Sequence, residues 1–184
     1  MSARYSLGNL LGEGTYGKVF QATDLETNAT VAVKRIKSEA TAGNEGGFHF
    51  TSIREIKVMK GLKHDNLVSL LDIFVSDESV PSLNLVMPFL QMDLKQVIAD
   101  RSIVLSMSHI KCIIKQVLSG LTALHSKWLL HRDLSPANVL VDTQTGLCKI
   151  ADFGLARSFG APYPGLLGRK RTFGGVMTSM VVVS

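Results

Sequence analysis

Cysteine is scarce in this sequence, and no long hydrophobic run occurs. The 184 residues include two cysteines, Cys112 and Cys148, and their spacing matches no metal-binding motif. So few thiols are typical of a reducing compartment, in which we expect both cysteines to be packing residues. No apolar run reaches the roughly 18 residues of a membrane-spanning helix, and the opening residues MSARYSLGNL lack the apolar core of a signal peptide. The sequence therefore predicts no disulfide framework, membrane span or secretory leader.

Acidic side chains are outnumbered, with 15 Asp and Glu residues against 20 Lys and Arg residues and a net charge of +5. An excess of this sign can indicate nucleic acid or another acidic partner. The densest basic cluster, however, is only the triplet 169–171, so ordinary solvated charge accounts for the balance. We expect no direct nucleic-acid binding and no membrane association. The hydrophobic content of 46% favours a globular protein with a substantial core.

The alternation of apolar and polar residues predicts a small sheet in the first half of the chain. Five strands and one helix are expected there, the strands at 5–14, 17–24, 30–37, 66–76 and 83–90 and the helix at 51–61. The second half is predicted to contain helices at 93–101 and 106–127 and short strands at 138–142 and 148–152. This order of elements predicts an α+β fold. Closely spaced glycines and prolines from Gly160 onward predict a loss of regular order.

The longer predicted helix carries the clearest apolar periodicity. Ser106 or Ser108 is suited to cap its start, because a side-chain oxygen there can accept a hydrogen bond from a free backbone N–H. Apolar residues at helical spacing form one stripe, which we expect to rest on the core. Its members are Ile110, Ile113, Ile114, Val117, Leu118, Leu121 and Leu124.

A glycine-rich motif, GEGTYGKV, places Gly12, Gly14 and Gly17 in a G-x-G-x-x-G-x-V array. Glycines let backbone N–H groups approach phosphates closely, since no Cβ atom intervenes. A dinucleotide-binding site would need a helix after the motif, but a strand is predicted there. The motif therefore favours a flap between two strands over a nicotinamide site, although a plain glycine turn fits the pattern about equally well.

A lysine ends the apolar strand sequence VAVK, shortly after the glycine motif. Lys34 could reach from this strand into a cleft and hold phosphate charge, or it could simply be solvated. Glu55, in the predicted helix sequence SIREI, is a natural partner, because an ion pair would fix the lysine and keep it protonated.

Two further motifs, HRDLSPANVL and DFG, supply oxygen ligands and a candidate base. Asp133 and Asn138 lie in a predicted loop between the long helix and a strand, and Asp152 belongs to the DFG sequence. Carboxylate and amide oxygens suit Mg²⁺, a hard ion that bridges polyphosphates. Asp133 could accept the proton of an attacking hydroxyl group.

The ordered set of glycine flap, VAVK lysine, helix glutamate, HRD loop and DFG sequence resembles the protein kinases. GEGTYGKV, SIREI, HRDLSPAN and ADFGLARSFG are similar to the cyclin-dependent kinase group. The segments 104–134 and 151–162 look most like its cyclin-dependent-kinase-activating, transcription-linked branch. The resemblance covers about residues 5–160 and implies a two-lobe fold. It implies an N-lobe of five strands and one helix at 1–90, a partial helical C-lobe at 91–160 and a divergent, disordered tail at 161–184.

The resemblance implies an ATP- and Mg²⁺-dependent serine/threonine kinase that transfers the γ-phosphate of ATP to protein hydroxyl groups. Asp133 is implied to be the catalytic base, with Lys34 and Glu55 as the pair that positions the phosphates. Asn138 and Asp152 are implied to be magnesium ligands. The residues implied to bind the nucleotide are Leu11, Gly12, Glu13, Gly14, Thr15, Gly17, Val19, Ala32, Lys34, Met87, Leu90 and Leu140.

Regulation is also implied by the resemblance. Thr15 and Tyr16 match the family's inhibitory phosphorylation pair, where added phosphates would repel those of ATP, although an accidental Thr-Tyr pair fits equally well. Arg54, Arg132 and Arg157 match three arginines that order a phosphorylated threonine in the family. A cyclin-like activating subunit and protein substrates are the implied partners, and the nucleus and cytoplasm the implied location.

The sequence departs from the kinase pattern in two places. Ser135 stands where the group carries a lysine that helps to neutralise the transferring phosphate, which predicts slower chemistry. After Pro162 the pattern stops, so we expect a C-terminally truncated chain that leaves the apolar stripe partly uncovered. A stacked set would lose support in the same way: Met59, Leu70, Phe153 and His131. The alternatives are a catalytically impaired fragment that binds nucleotide or cyclin without turnover, and a chain that does not fold stably.

Overall fold

A five-stranded antiparallel sheet forms the first half of the fold. The computed structural model describes residues 4–14, 17–37, 48, 50–76 and 82–159. The strands are β1 (Tyr5–Gly14), β2 (Gly17–Asp24), β3 (Thr30–Lys37), β4 (Asp72–Ser76) and β5 (Ser82–Pro88), in the spatial order β1-β2-β3-β5-β4. One helix, α1 (Phe50–Gly61), lies between β3 and β4 in the chain. The α+β class is confirmed, while the predicted lobe boundary at residue 90 stays a prediction.

The second half of the fold is built on two helices and short strands. In chain order these are β6 (Met92–Asp93), α2 (Leu94–Ala99), α3 (Met107–Ser126), β7 (Leu129–Leu130), β8 (Val139–Val141), β9 (Cys148–Ile150) and β10 (Arg157–Ser158). A single 3₁₀ turn, Pro136–Asn138, leads into β8. The strands pair as β6-β8-β9 and β10-β7. The predicted tail, 161–184, lies outside the described residues.

Side-chain caps set where α2 and α3 begin. Asp93 accepts a hydrogen bond from the backbone N–H of Gln96, so α2 begins one residue later than predicted. Ser106 caps α3 in the same way, with its Oγ 3.2 Å from the backbone nitrogen of His109. The prediction of a serine cap is therefore confirmed, at Ser106 and not at Ser108.

The predicted strand 66–76 is wrong over its first six residues. Only Asp72–Ser76 is a strand, because the backbone before it pairs with a different part of the chain. Val68 donates its N–H to the carbonyl oxygen of Ile150 at 2.9 Å, and Ile150 donates to the carbonyl oxygen of Asn66 at 2.9 Å. This segment therefore joins the end of α1 to β9 before the chain returns to the large sheet.

The largest apolar cluster lies between α1, α3 and β9. Its fully buried members include Leu67, Leu124, Ile150 and Phe153. Met59 belongs to the same cluster, and Leu70 packs against it. The rings of His131 and Phe153 meet edge to face, with centroids 5.5 Å apart. The stacked set predicted from the resemblance is present.

The apolar stripe of α3 is only half buried. Leu124 is fully buried, and Ile113, Val117 and Leu121 pack against apolar clusters. Ile114 and Leu118, in contrast, are 52% and 46% exposed. The stripe spans too wide an arc for one side of a helix to bury, so the prediction of one buried face is wrong for these two residues. The partly uncovered apolar surface that was expected is present.

One edge of the large sheet has an irregular register. β1 forms one edge, and its register with β2 shifts twice, between Leu7 and Leu10 and between Leu10 and Gly12.

Cys148 is buried as predicted, but Cys112 is exposed, so its predicted packing role is wrong. Within the described ranges, no helix is long and apolar enough to cross a membrane.

Candidate active site

The glycine motif forms the tip of the β1–β2 hairpin, as its predicted position between two strands requires. Gly14 pairs with Gly17 across the hairpin, while Thr15 and Tyr16 lie outside the described residues. A Cβ atom on Gly17 would lie 2.1 Å from the carbonyl oxygen of Arg35, so only glycine fits there. Gly12 and Gly14 have no such neighbour within 4 Å. Glu13 is bridged to Lys18 at 3.3 Å.

The predicted nucleotide pocket draws on the hairpin, on β3 and on β5. Val19 stands opposite Gly12 in the β1–β2 register, and Ala32 stands opposite Met87 in the β3–β5 register. Met87 and Leu140 both pack against the large apolar cluster, from β5 and β8. Leu90 is buried just beyond β5, and Leu11 is exposed on β1. The pocket residues thus come from elements that antiparallel pairing and the shared cluster bring together.

Lys34 forms a buried ion pair with Glu55. The Lys34 Nζ atom lies 2.8 Å from each carboxylate oxygen of Glu55, and the two side chains are 13% and 5% exposed. Asp152 lies on the other side of the ammonium group, with its Oδ1 atom 3.6 Å from Nζ. Burial opposes the charge on the lysine, but the two carboxylates outweigh it and raise the pKa of Lys34. The predicted lysine–glutamate pair is present, and the aspartate of the DFG sequence contacts the same ammonium group.

The HRD loop brings Asp133 and Asn138 together. The Nδ2 atom of Asn138 donates to the backbone carbonyl of Asp133 at 2.7 Å and to its Oδ2 atom at 3.1 Å. Ala151 donates its N–H to the carbonyl oxygen of Asn138 at 2.8 Å, directly before Asp152. The loop and the DFG sequence are therefore tied by side-chain and backbone bonds. The Asp133 carboxylate is exposed, as a base that must reach a substrate requires.

His131 is buried and forms hydrogen bonds with both the HRD loop and the residue before Asp152. Its Nε2 atom lies 2.8 Å from the carbonyl oxygen of Ala151, and its Nδ1 atom accepts the N–H of Asp133 at 3.3 Å. Nε2 must therefore carry the proton, which fixes the neutral tautomer. Burial lowers the pKa of His131, and the bond to Ala151 opposes that shift. The imidazole stays neutral and keeps the HRD and DFG sequences in register.

The oxygen donors at this position fit a magnesium ion. Both side-chain hydrogen bonds of Asn138 use its nitrogen, which leaves Oδ1 for a ligand. The Asp152 side chain is 45% exposed and has a positive φ of 62°, a conformation that is uncommon outside glycine and often found at functional sites. The described residues hold no cluster of three His, Cys, Asp or Glu side chains suited to a metal. Asn138 Oδ1 and the Asp152 carboxylate are hard oxygen donors, and Mg²⁺ is typically held by one or two carboxylates together with substrate phosphates.

Three arginines gather behind the DFG sequence. Arg54 donates to the carbonyl oxygen of Gly154 at 3.4 Å, and Arg132 donates to that of Leu155 at 2.7 Å. Burial lowers the pKa of Arg132, and the nearby charges of Arg157 and Arg54 lower it further. The charges of Arg54 and Arg157 therefore both act on Arg132, and the predicted regulatory role of the three arginines stays a prediction.

Two amide side chains, the buried Asn66 and the half-buried Gln116, were not identified from the sequence. Asn66 was assigned to a strand and Gln116 to a helix with an apolar stripe. Asn66 stands directly before an apolar run and Gln116 lies within one, which is the signal that could have found them, since a buried amide needs several hydrogen-bond partners. Ser135 was recognised, and the structure shows its hydroxyl group making no capping bond to the 3₁₀ turn that follows.

Comparison with known proteins agrees with this geometry. A family model described as the protein kinase domain matches residues 5–178. The match continues beyond Pro162, where the sequence pattern was expected to stop. The kinase family model therefore matches almost the whole length of this chain.

Curated relatives give a narrower likeness. The chain is 46% identical over 160 residues to cyclin-dependent kinase 7 of Dictyostelium discoideum, which covers 86% of this chain and 43% of that protein. It is 46% identical over 159 residues to cyclin-dependent kinase D-1 of Oryza sativa subsp. japonica, covering 86% of this chain and 36% of the relative. For cyclin-dependent kinase 7 of Caenorhabditis elegans the identity is 44% over 162 residues, with 88% and 48% covered. The chain spans less than half the length of these relatives.

Proposed function

This chain belongs to the protein kinase family, and we propose that it binds ATP with Mg²⁺ and transfers the γ-phosphate to serine or threonine hydroxyl groups of proteins. The proposal rests on one observation above the others. A buried lysine is held between Glu55 at 2.8 Å and Asp152 at 3.6 Å, and Asp152 follows the residue that is bonded to the HRD loop. In the proposed reaction, this arrangement would bring together a phosphate-binding cation, a metal ligand and a base.

Each side chain has a distinct part in the proposed reaction. Lys34 would hold phosphate oxygens, and Glu55 keeps its ammonium group in place. Asn138 and Asp152 would hold Mg²⁺, which when bound bridges the phosphates and neutralises their charge. Asp133 would accept the proton of the attacking hydroxyl group, and the Asn138 amide orients its carboxylate. Gly12 and Gly14 would let the hairpin lie close over the phosphates and exclude water.

A cyclin-like subunit is the proposed activating partner, as the names of the relatives suggest. The group of Arg54, Arg132 and Arg157 supports a regulated enzyme, because three converging cations are stabilised when a phosphate binds between them. Thr15 and Tyr16 remain proposed inhibitory sites on the hairpin. Phosphates there would stand beside the nucleotide phosphates and repel them.

A second candidate is a kinase-like chain that binds nucleotide or cyclin with little turnover. Ser135 favours it, because this half-buried residue places no charge between Asp133 and Asn138. Stabilisation of charge supplies most of the rate of phosphoryl transfer. The exposed Ile114 and Leu118 side chains also favour this candidate, because an exposed apolar surface is typical of a site that binds another protein.

Two measurements on the purified chain separate these candidates. Calorimetric titration with Mg·ATP measures binding, and transfer of labelled phosphate to a mixed peptide library measures turnover. A kinase gives both signals, and Asp133→Asn abolishes the second while sparing the first. The binding-only candidate gives the first signal alone. Absence of both signals, in a chain shown to be folded, would refute the proposed function.

A further inference from the structure

A buried hydrogen-bond network joins α3, β9 and the segment after α1. Asn66, which is 8% exposed, lies at its centre. Its Nδ2 atom donates to the carbonyl oxygen of Cys148 at 3.0 Å and to Oε1 of Gln116 at 3.1 Å. Its carbonyl oxygen accepts the N–H of Ile150 at 2.9 Å. One residue thus contacts both ends of β9 and the middle of α3.

Gln116 completes the network from the helix. Its Oε1 atom also accepts the N–H of Cys148 at 2.8 Å, while its Nε2 atom donates to the carbonyl oxygen of Gly146 at 2.9 Å. The amide therefore uses both of its polar atoms to hold the strand at its start. Gly120, one turn further along α3, allows this close approach, because a Cβ atom there would lie 2.7 Å from the carbonyl oxygen of Asn66.

β9 leads directly to the proposed metal ligand. Ile150 ends the strand, and Asp152 follows two residues later with its carboxylate 3.6 Å from Lys34. The segment that carries Asn66 follows α1, which carries Glu55, the other partner of Lys34. The network therefore connects the two elements that place carboxylates on either side of one ammonium group.

We infer that Asn66 and Gln116 are positioning residues for the magnesium–nucleotide site. They form a clamp, defined here as the Asn66 and Gln116 amides with the backbone of β9, that fixes Asp152 relative to the Lys34–Glu55 pair. Neither side chain is among the residues proposed to bind the nucleotide or the metal. The inference rests on the proposed function, because Asp152 needs a fixed position only if it holds a metal ion.

The test measures metal-dependent and metal-free binding separately. Gln116→Leu, Asn66→Ala and the double variant are titrated with Mg·ATP and with ATP in excess chelator. Loss of an outer hydrogen bond that orients a metal ligand lowers metal affinity by about ten- to a hundredfold. We expect each single variant to weaken Mg·ATP binding at least about tenfold while ATP affinity without metal changes by less than about threefold. The exposed Thr122→Ala on α3 is the matched control and should bind as the parent chain does.

The double variant tests whether the two residues act as one unit. The effects of substitutions within one network do not add. The Mg·ATP affinity of the double variant should therefore lie within about twofold of that of the more affected single variant. Losses that multiply, or equal losses with and without metal, would overturn the inference. If the parent chain itself binds no Mg·ATP, the proposed function fails first.

A second measurement keeps the clamp testable in that case. Cys148 is buried against the clamp, while Cys112 is exposed on the same helix as Gln116. Alkylation of the two thiols is followed by peptide mass spectrometry, with Cys112 as the internal control for reagent access. Asn66→Ala removes the amide bonds to Cys148 and Gln116, so it should speed the labelling of Cys148 at least about tenfold and leave that of Cys112 unchanged. An unchanged rate at Cys148 would show that the clamp does not hold β9 and would refute the inference.

Discussion

Removal of the Glu55 carboxylate is predicted to destabilise the fold as well as the site. In Glu55→Ala the ammonium group of Lys34 stays buried, and its remaining described partner is Asp152 at 3.6 Å. Removal of one partner from a buried ion pair costs about 3–5 kcal/mol. Because Asp152 stays within reach, we expect the lower end, about 3 kcal/mol. At about 2–4 °C per kcal/mol for a domain of this size, the melting temperature should fall by about 6–12 °C.

Equilibrium unfolding in urea, followed by circular dichroism at pH 7, measures this loss. The raised pKa of Lys34 means that its contribution is fully present below the unfolded-state value of 10.5 and is lost only as the pH rises through the folded-state value. At pH 7 Lys34 is therefore charged in both the folded and the unfolded chain. The control is Lys34→Met with Glu55→Leu, which removes both charges and should return to within about 1 kcal/mol of the parent chain. A single variant as stable as the parent, or a double variant less stable than the single one, would refute the reasoning.

Three further predictions follow from single side chains. Ser135→Lys should raise kcat for phosphate transfer at least about tenfold with an unchanged Kd for Mg·ATP, because it adds a charge beside Asp133; equal rates in the two proteins would contradict this. Gly17→Ala should lower the free energy of unfolding by at least about 2 kcal/mol, since its Cβ would meet a backbone oxygen at 2.1 Å, whereas Gly12→Ala should change it by less than about 1 kcal/mol. Burial lowers the pKa of His131, so its contribution to stability is full above the unfolded-state value of 6.5 and is lost as the pH falls through the lowered folded-state value; His131→Phe should flatten that pH dependence in urea unfolding, and an unchanged slope would show that another group titrates.

The active-site geometry was largely predictable because each motif carries its own local constraint. Val19 and Lys34 lie on strands whose alternation is visible in the sequence, and their pairing across the β2–β3 hairpin follows from chain order. Asp133 and Asn138 are only five residues apart, so their hydrogen bond is local. Asp152 lies 118 positions after Lys34 in the chain, so their contact was predictable only from the ordered motif set.

The errors arise where distant partners decide the structure. Asn66 and its neighbours have the composition of a strand, but their backbone groups bond to Ile150, far along the chain. Periodicity could not show how much of the α3 stripe would be covered, because the burial of Ile114 and Leu118 depends on what packs against that part of the arc. The exposure of Cys112 has the same cause. Burial depends on the neighbours that the fold supplies, and a pattern within one helix contains no information about them.

The shifted register of β1 has a consequence for how the chain behaves in concentrated solution. β1 lies at the edge of the large sheet and exposes Leu7, Leu10 and Leu11. A flat apolar edge of ten residues would be a template for strand addition by a second molecule. The two register shifts break the regular spacing of its free N–H and C=O groups, so an incoming strand could form only a few consecutive bonds. The irregular register of this edge strand thus acts against self-association.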